Sequence, residues 1–598
     1  MKTLLYCGAA AIALSLAACQ PQAGRATPEA ARAFLAEAER EMTDYAEFSA
    51  RTAWVQETNI TDDTDFLLAR ANAEGTEMAV RLANATKAFE GAALEPSEAR
   101  KMQILRTGIV MPAPSREGAA SELAEITTRL SSTYSTGKYT IDGKELTLDE
   151  LSTIIETSRD PVKLKEAWEG WRTVSPSMKA DYARMVEIAN EGARELGFSN
   201  LADMWLSNYD MPPEEMQKEA DRLWSQVEPL YKELHCHVRA RLSDAYGAAV
   251  QPASGPIRAD LLGNMWAQQW NALYPMVGPK AADPGYDLTE ALSRKGYDPL
   301  RMVRTGEAFF SSLGFAPLPE SFWKRSQITR PRDREVVCHA SAWNLDNVDD
   351  IRIKMCTEVN AEDFQTVHHE LGHNYYQRAY NGQDFLFRNG AHDGFHEAIG
   401  DFVALSITPE YLLQIGLIDK VPPPEADLGL LMDRALEKIA FLPFGLLVDK
   451  WRWQVFRGET GPDAYNQAWW DLARTYQGII PPSERPADAF DPGAKYHIPG
   501  NTPYLRYFLS FIMQFQFHKA ACEQAGWAGP LHRCSIYGNK EVGAKFNAMM
   551  EKGASQPWPD TLELFTGTRQ MDGSAILEYF QPLRAWLQEE NKGRSCGW

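Results

Sequence analysis

Apolar residues recur every three or four positions along most of this chain. The pattern is clearest at 213–246 and in LLMDRALEKIAFLPFGLLVDKWRWQVF at 430–456. This period places apolar side chains along one face of an α-helix. Strict alternation of apolar and polar residues, which predicts a β-strand, is scarce, and its best example is IRIKMCTEV at 351–359. We therefore predict an all-α, mostly helical protein with very little β-structure.

No long linker divides the chain. Its Pro-rich segments, such as VPPPEAD at 421–427, are short, and we find no internal repeat. Thr27 and Pro28 are typical of the N-cap and the first residue of a helix. We therefore predict one large domain over residues 28–598.

The N-terminal segment at 1–18, MKTLLYCGAAAIALSLAA, joins a lysine to a short apolar stretch, which is typical of an export signal. Residues 16–19, LAAC, resemble a bacterial lipoprotein box, which implies cleavage before Cys19 and acylation of its thiol. The alternative is ordinary signal cleavage after Ala18. A polar linker at 19–27 would follow, and no later apolar segment reaches the roughly 18 residues of a membrane-spanning helix. We expect an exported, periplasmic or cell-envelope lipoprotein, tethered to the membrane only by its N-terminal lipid.

The balance of charge is acidic, with a formal net charge of -20 and no basic stretch. Nucleic-acid binding requires a basic surface that neutralises phosphates. The composition therefore excludes nucleic acid as a partner and indicates a well-solvated surface.

Export also decides how the cysteines are interpreted, because an oxidising compartment permits disulfides. Two pairs are close in the sequence and could staple local loops: Cys338 with Cys356, and Cys522 with Cys534. Neither pair has the CxxC spacing of a structural zinc site. Cys236 and Cys596 could pair with each other or remain buried thiols, and the sequence leaves both possibilities open.

The segment TVHHELGHNYY at 366–376 has a helical pattern and contains an H-E-x-x-H motif. His369 and His373 stand four residues apart, so their imidazoles leave one face of the helix and can share a metal ion. Glu370 is rotated by about 100° from the ligands, which suits it to accept a proton from bound water. His368 is a competing ligand, but its five-residue spacing to His373 does not share a face, and we interpret it as a neighbour.

A second helical segment, GFHEAIGD at 394–401, supplies two carboxylates. Glu397 would complete a set of two histidines and one glutamate around zinc and leave the fourth position to water. Asp401 lies one turn beyond Glu397, where it could hydrogen-bond a ligand imidazole and fix its tautomer. The alternative for a Glu and an Asp four residues apart is a solvated helix face. Beside the histidine pair, we favour the metal site.

These two motifs, 24 residues apart from His373 to Glu397, resemble those of the angiotensin-converting enzyme family of zinc peptidyl-dipeptidases. The resemblance continues through nearly the whole mature chain, in TAWVQETNIT at 52–61, LLGNMWAQQW at 261–270, VCHASAW at 337–343, FDPGAKYHIP at 490–499 and TPYLRYFLSFIMQFQFH at 502–518. It implies a single catalytic domain with a two-lobed fold around a deep, closed channel. It also implies one zinc ion per chain and oligopeptide substrates with a free C-terminus.

The resemblance implies roles for residues outside the two motifs. Tyr507 and His497 would stabilise the oxyanion of the tetrahedral intermediate, a task that needs donors aimed at developing negative charge. His339, Ala340 and Ala342 would line the substrate, the two alanines through backbone hydrogen bonds in the manner of a β-strand.

Lys495, Gln268 and Tyr504 would bind the C-terminal carboxylate of the peptide, because one cation and two neutral donors suit that group. This pocket would set the cut two residues from the C-terminus, while Glu370 takes a proton from water and returns it to the leaving amine. One alternative is a single-residue carboxypeptidase, as in a branch of the family that has Arg where this chain has Gln268. Another is a non-catalytic peptide-binding lipoprotein. Loss of a metal ligand or of Glu370 would indicate it, and none is lost here.

The resemblance bears on the cysteines as well. The family's pattern supports disulfides within the two close pairs, Cys338 with Cys356 and Cys522 with Cys534. A third family disulfide, nearer the N-terminus, has no cysteines here.

Chloride activates many members of this family through two buried sites. Tyr209 and Arg506, the latter one residue before Tyr507, match the site closer to the chemistry. The resemblance therefore predicts chloride binding there, with the bound anion holding Tyr507 and Lys495 in place.

The more remote chloride site matches less well. Arg172 and Trp469 are present, but the family's second arginine falls on Ala473, with Asp471 nearby. Loss of a buried cation should weaken anion binding, because an ion taken from water needs its full set of partners. Arg474 could substitute, although it is displaced by about 100° around a helix. We therefore predict chloride activation at a single site.

Overall fold

The computed structural model describes residues 27–279 and 286–598. The chain is 64% helical and 3% strand, which confirms the predicted all-α class. The α-helices are α1 Pro28–Thr58, α2 Asp62–Ala85, α3 Pro96–Thr107, α4 Ala119–Ser135, α5 Leu148–Thr157, α6 Pro161–Trp171, α7 Lys179–Glu195, α8 Leu201–Leu206, α9 Pro213–Tyr246, α10 Tyr274–Val277, α11 Leu288–Arg294, α12 Pro299–Ser312, α13 Glu320–Arg325, α14 Ala361–Tyr380, α15 Asp393–Leu405, α16 Pro409–Gln414, α17 Asp427–Phe456, α18 Tyr465–Leu472, α19 Leu505–Gln524, α20 Lys540–Met550, α21 Trp558–Thr566, α22 Ser574–Tyr579 and α23 Gln581–Glu590.

The strands form three two-stranded sheets within the described residues. The strands are β1 Tyr139–Ile141, β2 Lys144–Leu146, β3 Ile257–Arg258, β4 Ser341–Asn344, β5 Ile351–Lys354 and β6 Ile479–Ile480. The first two strands pair antiparallel, as do β4 and β5, whereas β3 pairs parallel to β6. These sheets are too small to form a layer, and the helices therefore supply most of the core.

The predicted helix boundaries agree with the structure where local signals were strong. The Thr27 hydroxyl accepts a hydrogen bond from the amide of Ala30 and caps α1, and Pro28 is its first residue. The strand predicted over 351–359 is shorter, because only Ile351–Lys354 have partners on the four-residue strand β4. Beyond β5 the chain runs into the disulfide of Cys356 instead.

One hydrophobic core continues through most of the described chain, from helix α2 to helix α23. A smaller cluster joins helices α1 to α3 to Leu386. The division into a signal at 1–18, a linker at 19–27 and a catalytic domain at 28–598 stays a prediction, as does the two-lobed shape around a channel. The signal and the lipidation site Cys19 lie outside the described residues.

Three disulfides join the six cysteines of the described residues. Two are the predicted local bridges, Cys338–Cys356 and Cys522–Cys534. The third joins Cys236 to Cys596. Of the two possibilities that the sequence left open for these cysteines, the structure therefore shows the disulfide. Among residues 27–279 and 286–598, no helix combines the length and the apolar character needed to span a membrane.

Candidate active site

The two histidines of the H-E-x-x-H motif lie on helix α14, with their Nε2 atoms 3.0 Å apart. Helix α15 packs against α14 and brings Glu397 Oε2 to 3.7 Å from Nε2 of His369. One ligand atom each from His369, His373 and Glu397 lies within 4.8 Å of the others. Zinc ligands at roughly 2.0–2.2 Å in a tetrahedron are separated by about 3.4 Å. The donor set therefore fits a zinc ion in chemistry and in spacing.

Two glycines permit this close approach of the helices. A Cβ added at Gly372 would lie 3.0 Å from Cα of Gly400, closer than real Cβ contacts allow without adjustment. A Cβ at Gly400 would lie 2.8 Å from Nδ1 of His369. Glycine at position 400 therefore leaves the space that the imidazole of His369 occupies.

Asp401 supports His369 from the side opposite the metal ligands. Its Oδ1 lies 3.1 Å from Nδ1 of His369, as the sequence predicted. Its Oδ2 accepts hydrogen bonds from Nζ of Lys438 at 3.1 Å and from Nε2 of Gln514 at 3.0 Å. Burial lowers the pKa of His369, but hydrogen bonding to Asp401 outweighs this effect and raises it to about 9.

Sequence reasoning missed Lys438 and Gln514, which lie on helices α17 and α19. Their separations from Asp401 along the chain are 37 and 113 residues. No local pattern relates residues so far apart, and their contact with Asp401 exists only once three helices have packed. The carboxylate that orients a ligand is thus itself held by two donors.

The second ligand histidine also has a partner that the sequence did not indicate. Nδ1 of His396 lies 3.4 Å from Nδ1 of His373, and its Nε2 lies 3.2 Å from the hydroxyl of Tyr380. Burial lowers the pKa of His396 to about 4, so its ring is neutral near pH 7. The only sequence signal was the position of His396 directly before Glu397.

His368 is confirmed as a neighbour rather than a ligand. Its Nδ1 lies 2.8 Å from the carbonyl oxygen of Phe364, and its Nε2 lies 3.1 Å from the hydroxyl of Tyr411. Both ring nitrogens therefore have partners inside the protein, and the side chain is fully buried.

Glu370 faces a cavity of about 880 Å³ that His369, His339 and Ala340 also line. Burial raises the pKa of its carboxyl, and the neighbouring charge of His369 opposes that rise. Two of the three predicted substrate-lining residues, His339 and Ala340, thus border the same space as the predicted general base. Ala342 lies on β4, paired with Ile353 of β5.

The strand β4 has one free edge within the described residues. One side of β4 pairs with β5, and the far side of β5 is bridged to Gln327. An unpaired strand edge presents backbone N–H and C=O groups to which an extended peptide can bind. Ala342 lies on β4, and Ala340 directly precedes the first residue of this strand.

The three residues predicted to bind the substrate carboxylate lie together. Nζ of Lys495 donates a hydrogen bond to Oε1 of Gln268 at 2.7 Å, and the hydroxyl of Tyr504 lies 3.5 Å from the same oxygen. Lys495 is 5% exposed and has no carboxylate partner among the described residues. Burial lowers its pKa to about 7.

An aromatic cluster adjoins this pocket. The ring centroid of Tyr504 lies 4.8 Å from that of His497 and 4.9 Å from that of Tyr507. Burial raises the pKa of Tyr507; the charge of Arg506 opposes this rise and the carboxylate of Glu397 adds to it. His497, Tyr504 and Tyr507 therefore form one aromatic wall beside the lysine pocket.

Two residues missed from the sequence hold this wall. Arg452 is fully buried and donates hydrogen bonds to the carbonyl oxygens of His497 and Thr502. Asp449 accepts hydrogen bonds from the amides of Tyr504 and Leu505, at the start of helix α19. Its carboxylate also accepts from Nε of Arg452 at 2.7 Å.

The residues predicted to bind chloride fall into two different environments. Tyr209 and Arg506 line one cavity of about 450 Å³ that also reaches Glu397. A carboxylate is present there, because Oδ2 of Asp393 lies 3.1 Å from Nε of Arg506. Asp393 was not singled out in the sequence.

The remote pair is less complete. Arg172 donates to the carbonyl oxygens of Trp168 and Met265 and stacks on the ring of Trp168, leaving its Nε without a hydrogen-bond partner in the described chain. Ala473 is buried, whereas Arg474 is exposed. Arg474 therefore does not replace the arginine that is missing at Ala473. Trp469 packs against other rings, those of Trp451 and Phe444.

Comparison with known proteins agrees with the site. The family model described as angiotensin-converting enzyme matches residues 25–598. The angiotensin-converting enzyme of Sus scrofa is 43% identical over 92% of this chain, and the chain spans only 43% of that relative. The relative from Haematobia irritans exigua is 39% identical, with 93% of both chains covered. The relative from Theromyzon tessulatum is 44% identical over 76% of this chain and 74% of its own length. The chain therefore belongs to the angiotensin-converting enzyme family.

Proposed function

We propose that this protein is a zinc-dependent peptidyl-dipeptidase that removes dipeptides from the free C-termini of oligopeptides. One observation carries the proposal. A buried cation, Lys495, lies with Gln268 and Tyr504 in one pocket, and the ring of Tyr504 contacts that of Tyr507. The same domain brings together a complete set of zinc-ligand side chains, His369, His373 and Glu397.

The ligands His369, His373 and Glu397 would hold the ion. When bound, zinc would act as a Lewis acid towards the scissile carbonyl and lower the pKa of the attacking water. Glu370 would accept the proton of that water and return it to the leaving amine. A pKa raised by burial suits this role, because it makes the carboxylate a stronger acceptor for the proton of the water.

Tyr507 and His497 would donate hydrogen bonds to the oxyanion. Burial lowers the pKa of His497 to about 3, so the ring is neutral at pH 7 and donates through a single N–H. Burial raises the pKa of Tyr507, which keeps its hydroxyl protonated and able to donate. Donors fixed in place before the reaction stabilise developing charge without a cost of reorganisation.

The free edge of β4 would bind the peptide backbone near Ala340 and Ala342, beside His339. At the far end of the substrate, Lys495 would bind the carboxylate. The side-chain oxygen Oε1 of Gln268 already accepts a hydrogen bond from Lys495. The side-chain NH2 group of Gln268 therefore remains to donate to the substrate.

The alternatives are less well supported. The resemblance implies that Gln268, in place of the Arg of the single-residue carboxypeptidase branch, would leave a longer pocket. A non-catalytic peptide-binding role would not require Glu370 beside the complete set of ligands.

The proposal includes an anion beside Arg506 and an export route. Arg506 directly precedes Tyr507 on helix α19, so neutralising its charge would help to fix Tyr507. The resemblance predicts chloride as that anion, with activation at this one site. The carboxylate of Asp393, however, lies 3.1 Å from Nε of Arg506 and competes for the same place. Export as a lipoprotein anchored at Cys19 is also part of the proposal.

The decisive experiment is mass analysis of products from N-blocked tripeptides. Release of the C-terminal dipeptide is expected, and its rate should fall sharply when the C-terminus is amidated, since Lys495 then loses its charged partner. Release of single residues as the main product would support the carboxypeptidase alternative. Cleavage of amidated peptides at the full rate would contradict the role of Lys495.

A further inference from the structure

The ion pair between Asp393 and Arg506 joins two helices that carry the chemistry. Asp393 is the first residue of α15, one turn before the ligand Glu397. Arg506 is the second residue of α19, directly before Tyr507. Oδ2 of Asp393 lies 3.1 Å from Nε of Arg506, and each side chain is 29% exposed. The two charges therefore lie at ion-pair distance between the starts of the two helices, although Nε of Arg506 has no hydrogen-bond partner among the described residues.

The other charged and titratable groups near this pair have partners of their own. The carboxylate of Asp449 is engaged by Arg452 and by the first amides of helix α19. Nδ1 of His392 accepts from the amide of Gly394. Asp393 is thus the carboxylate in direct contact with the Arg506 guanidinium.

Several neighbours favour a charged Asp393. Burial raises the pKa of its carboxyl, but the nearby His392 and the charge of Arg506 together bring it below the usual value. The phenol of Tyr209 lies near enough to lower it further. The guanidinium therefore faces a carboxylate anion that belongs to the chain.

We propose that Asp393 is the fixed anion of this site, which neutralises Arg506 and holds Glu397 and Tyr507 in register without a bound chloride ion. A chloride ion at Arg506 would have to displace the carboxylate or lie beside it. Displacement leaves a carboxylate without its cation, and a position beside it brings two negative charges together. Asp393 is a positioning residue here, since it acts through Arg506 on the helix that carries Tyr507.

The test is a chloride titration of activity, which uses the proposed peptidase reaction as its readout. Native protein, Asp393→Ala and Arg506→Gln are assayed on an N-blocked tripeptide while acetate is exchanged for chloride at constant ionic strength. The native rate should not depend on chloride. Asp393→Ala should lose about tenfold in kcat/KM without chloride and recover most of it as chloride saturates one site. Arg506→Gln should be impaired and should not recover.

A matched control separates this effect from general loss of an ion pair. Asp181, in the first turn of α7, pairs through both carboxylate oxygens with Arg129 on α4, far from the cavity that Arg506 lines. Asp181→Ala should keep the native rate and show no response to chloride. If Asp393 had a merely structural role, adding chloride would not restore the rate of the Asp393→Ala variant.

Two results would overturn the proposal. One is a native rate that rises severalfold and saturates with chloride, whether or not the variants fold. The other is an Asp393→Ala enzyme as active as native protein in chloride-free buffer. Broadening of the chloride-35 NMR line measures chloride binding without an activity assay. A failure of this proposal can therefore be told apart from a failure of the proposed peptidase function. Native protein should broaden the line no more than Arg506→Gln does, and excess broadening by native protein would overturn the proposal.

Discussion

Nδ1 of His369 lies 3.1 Å from Oδ1 of Asp401, and the other oxygen of that carboxylate is 3.1 Å from Nζ of Lys438. This relationship extends the metal centre beyond its ligands. The ring orientation of His369 depends on a carboxylate, and the orientation of that carboxylate depends on a partly buried ion pair with Lys438. The metal site should therefore respond to changes at residues that never contact the ion.

Lys438→Met should weaken zinc binding by roughly 10–100-fold, because Asp401 then loses its cation and orients His369 less well. Chelator competition measures the affinity directly. Lys519→Met is the control, since Lys519 lies on the outer part of helix α19 and pairs with Glu578. Equal zinc affinity of Lys438→Met and native protein would show that Asp401 needs no support from Lys438.

Glu370→Ala should retain one zinc ion per chain and lose about a hundredfold or more in kcat, because Glu370 would serve the water and not the metal. Metal analysis and single-turnover kinetics on the same preparation check both parts. His369→Ala, which removes a ligand, should lose the metal. A metal-free but folded Glu370→Ala protein would mean that the role assigned to Glu370 is wrong.

KM for tripeptides with a free carboxylate should rise as pH increases above about 7, while kcat changes little. Burial lowers the pKa of Lys495 to about 7 in the free protein, so its charged form is complete below that pH and is lost above it. The carboxylate of a bound substrate stabilises the charged form of Lys495. At saturating substrate the lysine therefore stays charged, and kcat does not show the change with pH. Initial rates across pH on free-acid and amidated substrates measure this, and Lys495→Met is the control that should abolish it. An equal rise in KM for the amide would exclude Lys495 as the cause.

Removing the Cys236–Cys596 bridge should lower stability by roughly 2–5 kcal/mol, since its ends lie 360 residues apart and it restrains a large loop of the unfolded chain. The C-terminus is also held by Arg239, which donates to the carbonyl oxygen of Gly597. The double Cys→Ser variant should therefore unfold at lower temperature while retaining the fold. Calorimetry compares it with the Cys522 and Cys534 double variant, whose 12-residue separation should cost less. A larger loss in that control would contradict the loop argument.

Local order was determined by the sequence itself. The four-residue spacing of His369 and His373, the N-cap at Thr27 and the helical period of α9 and α17 all follow from interactions between residues a few positions apart. Such interactions are present in the helix whether or not the rest of the chain has folded. The third ligand, Glu397, was predicted from a second helical segment that supplies carboxylates to complete a set of two histidines and one glutamate.

Tertiary structure alone decided the contacts between distant segments. Lys438 and Gln514 reach Asp401, Asp393 reaches Arg506, and Cys236 reaches Cys596 only after helices distant in sequence have packed. The strand β5 likewise ends at Lys354 because its partner has four residues, a fact that alternation in 351–359 could not encode. The physical reason is the same in each case: period and spacing describe one element's own faces, whereas the partner on each face is selected by close packing of the whole core.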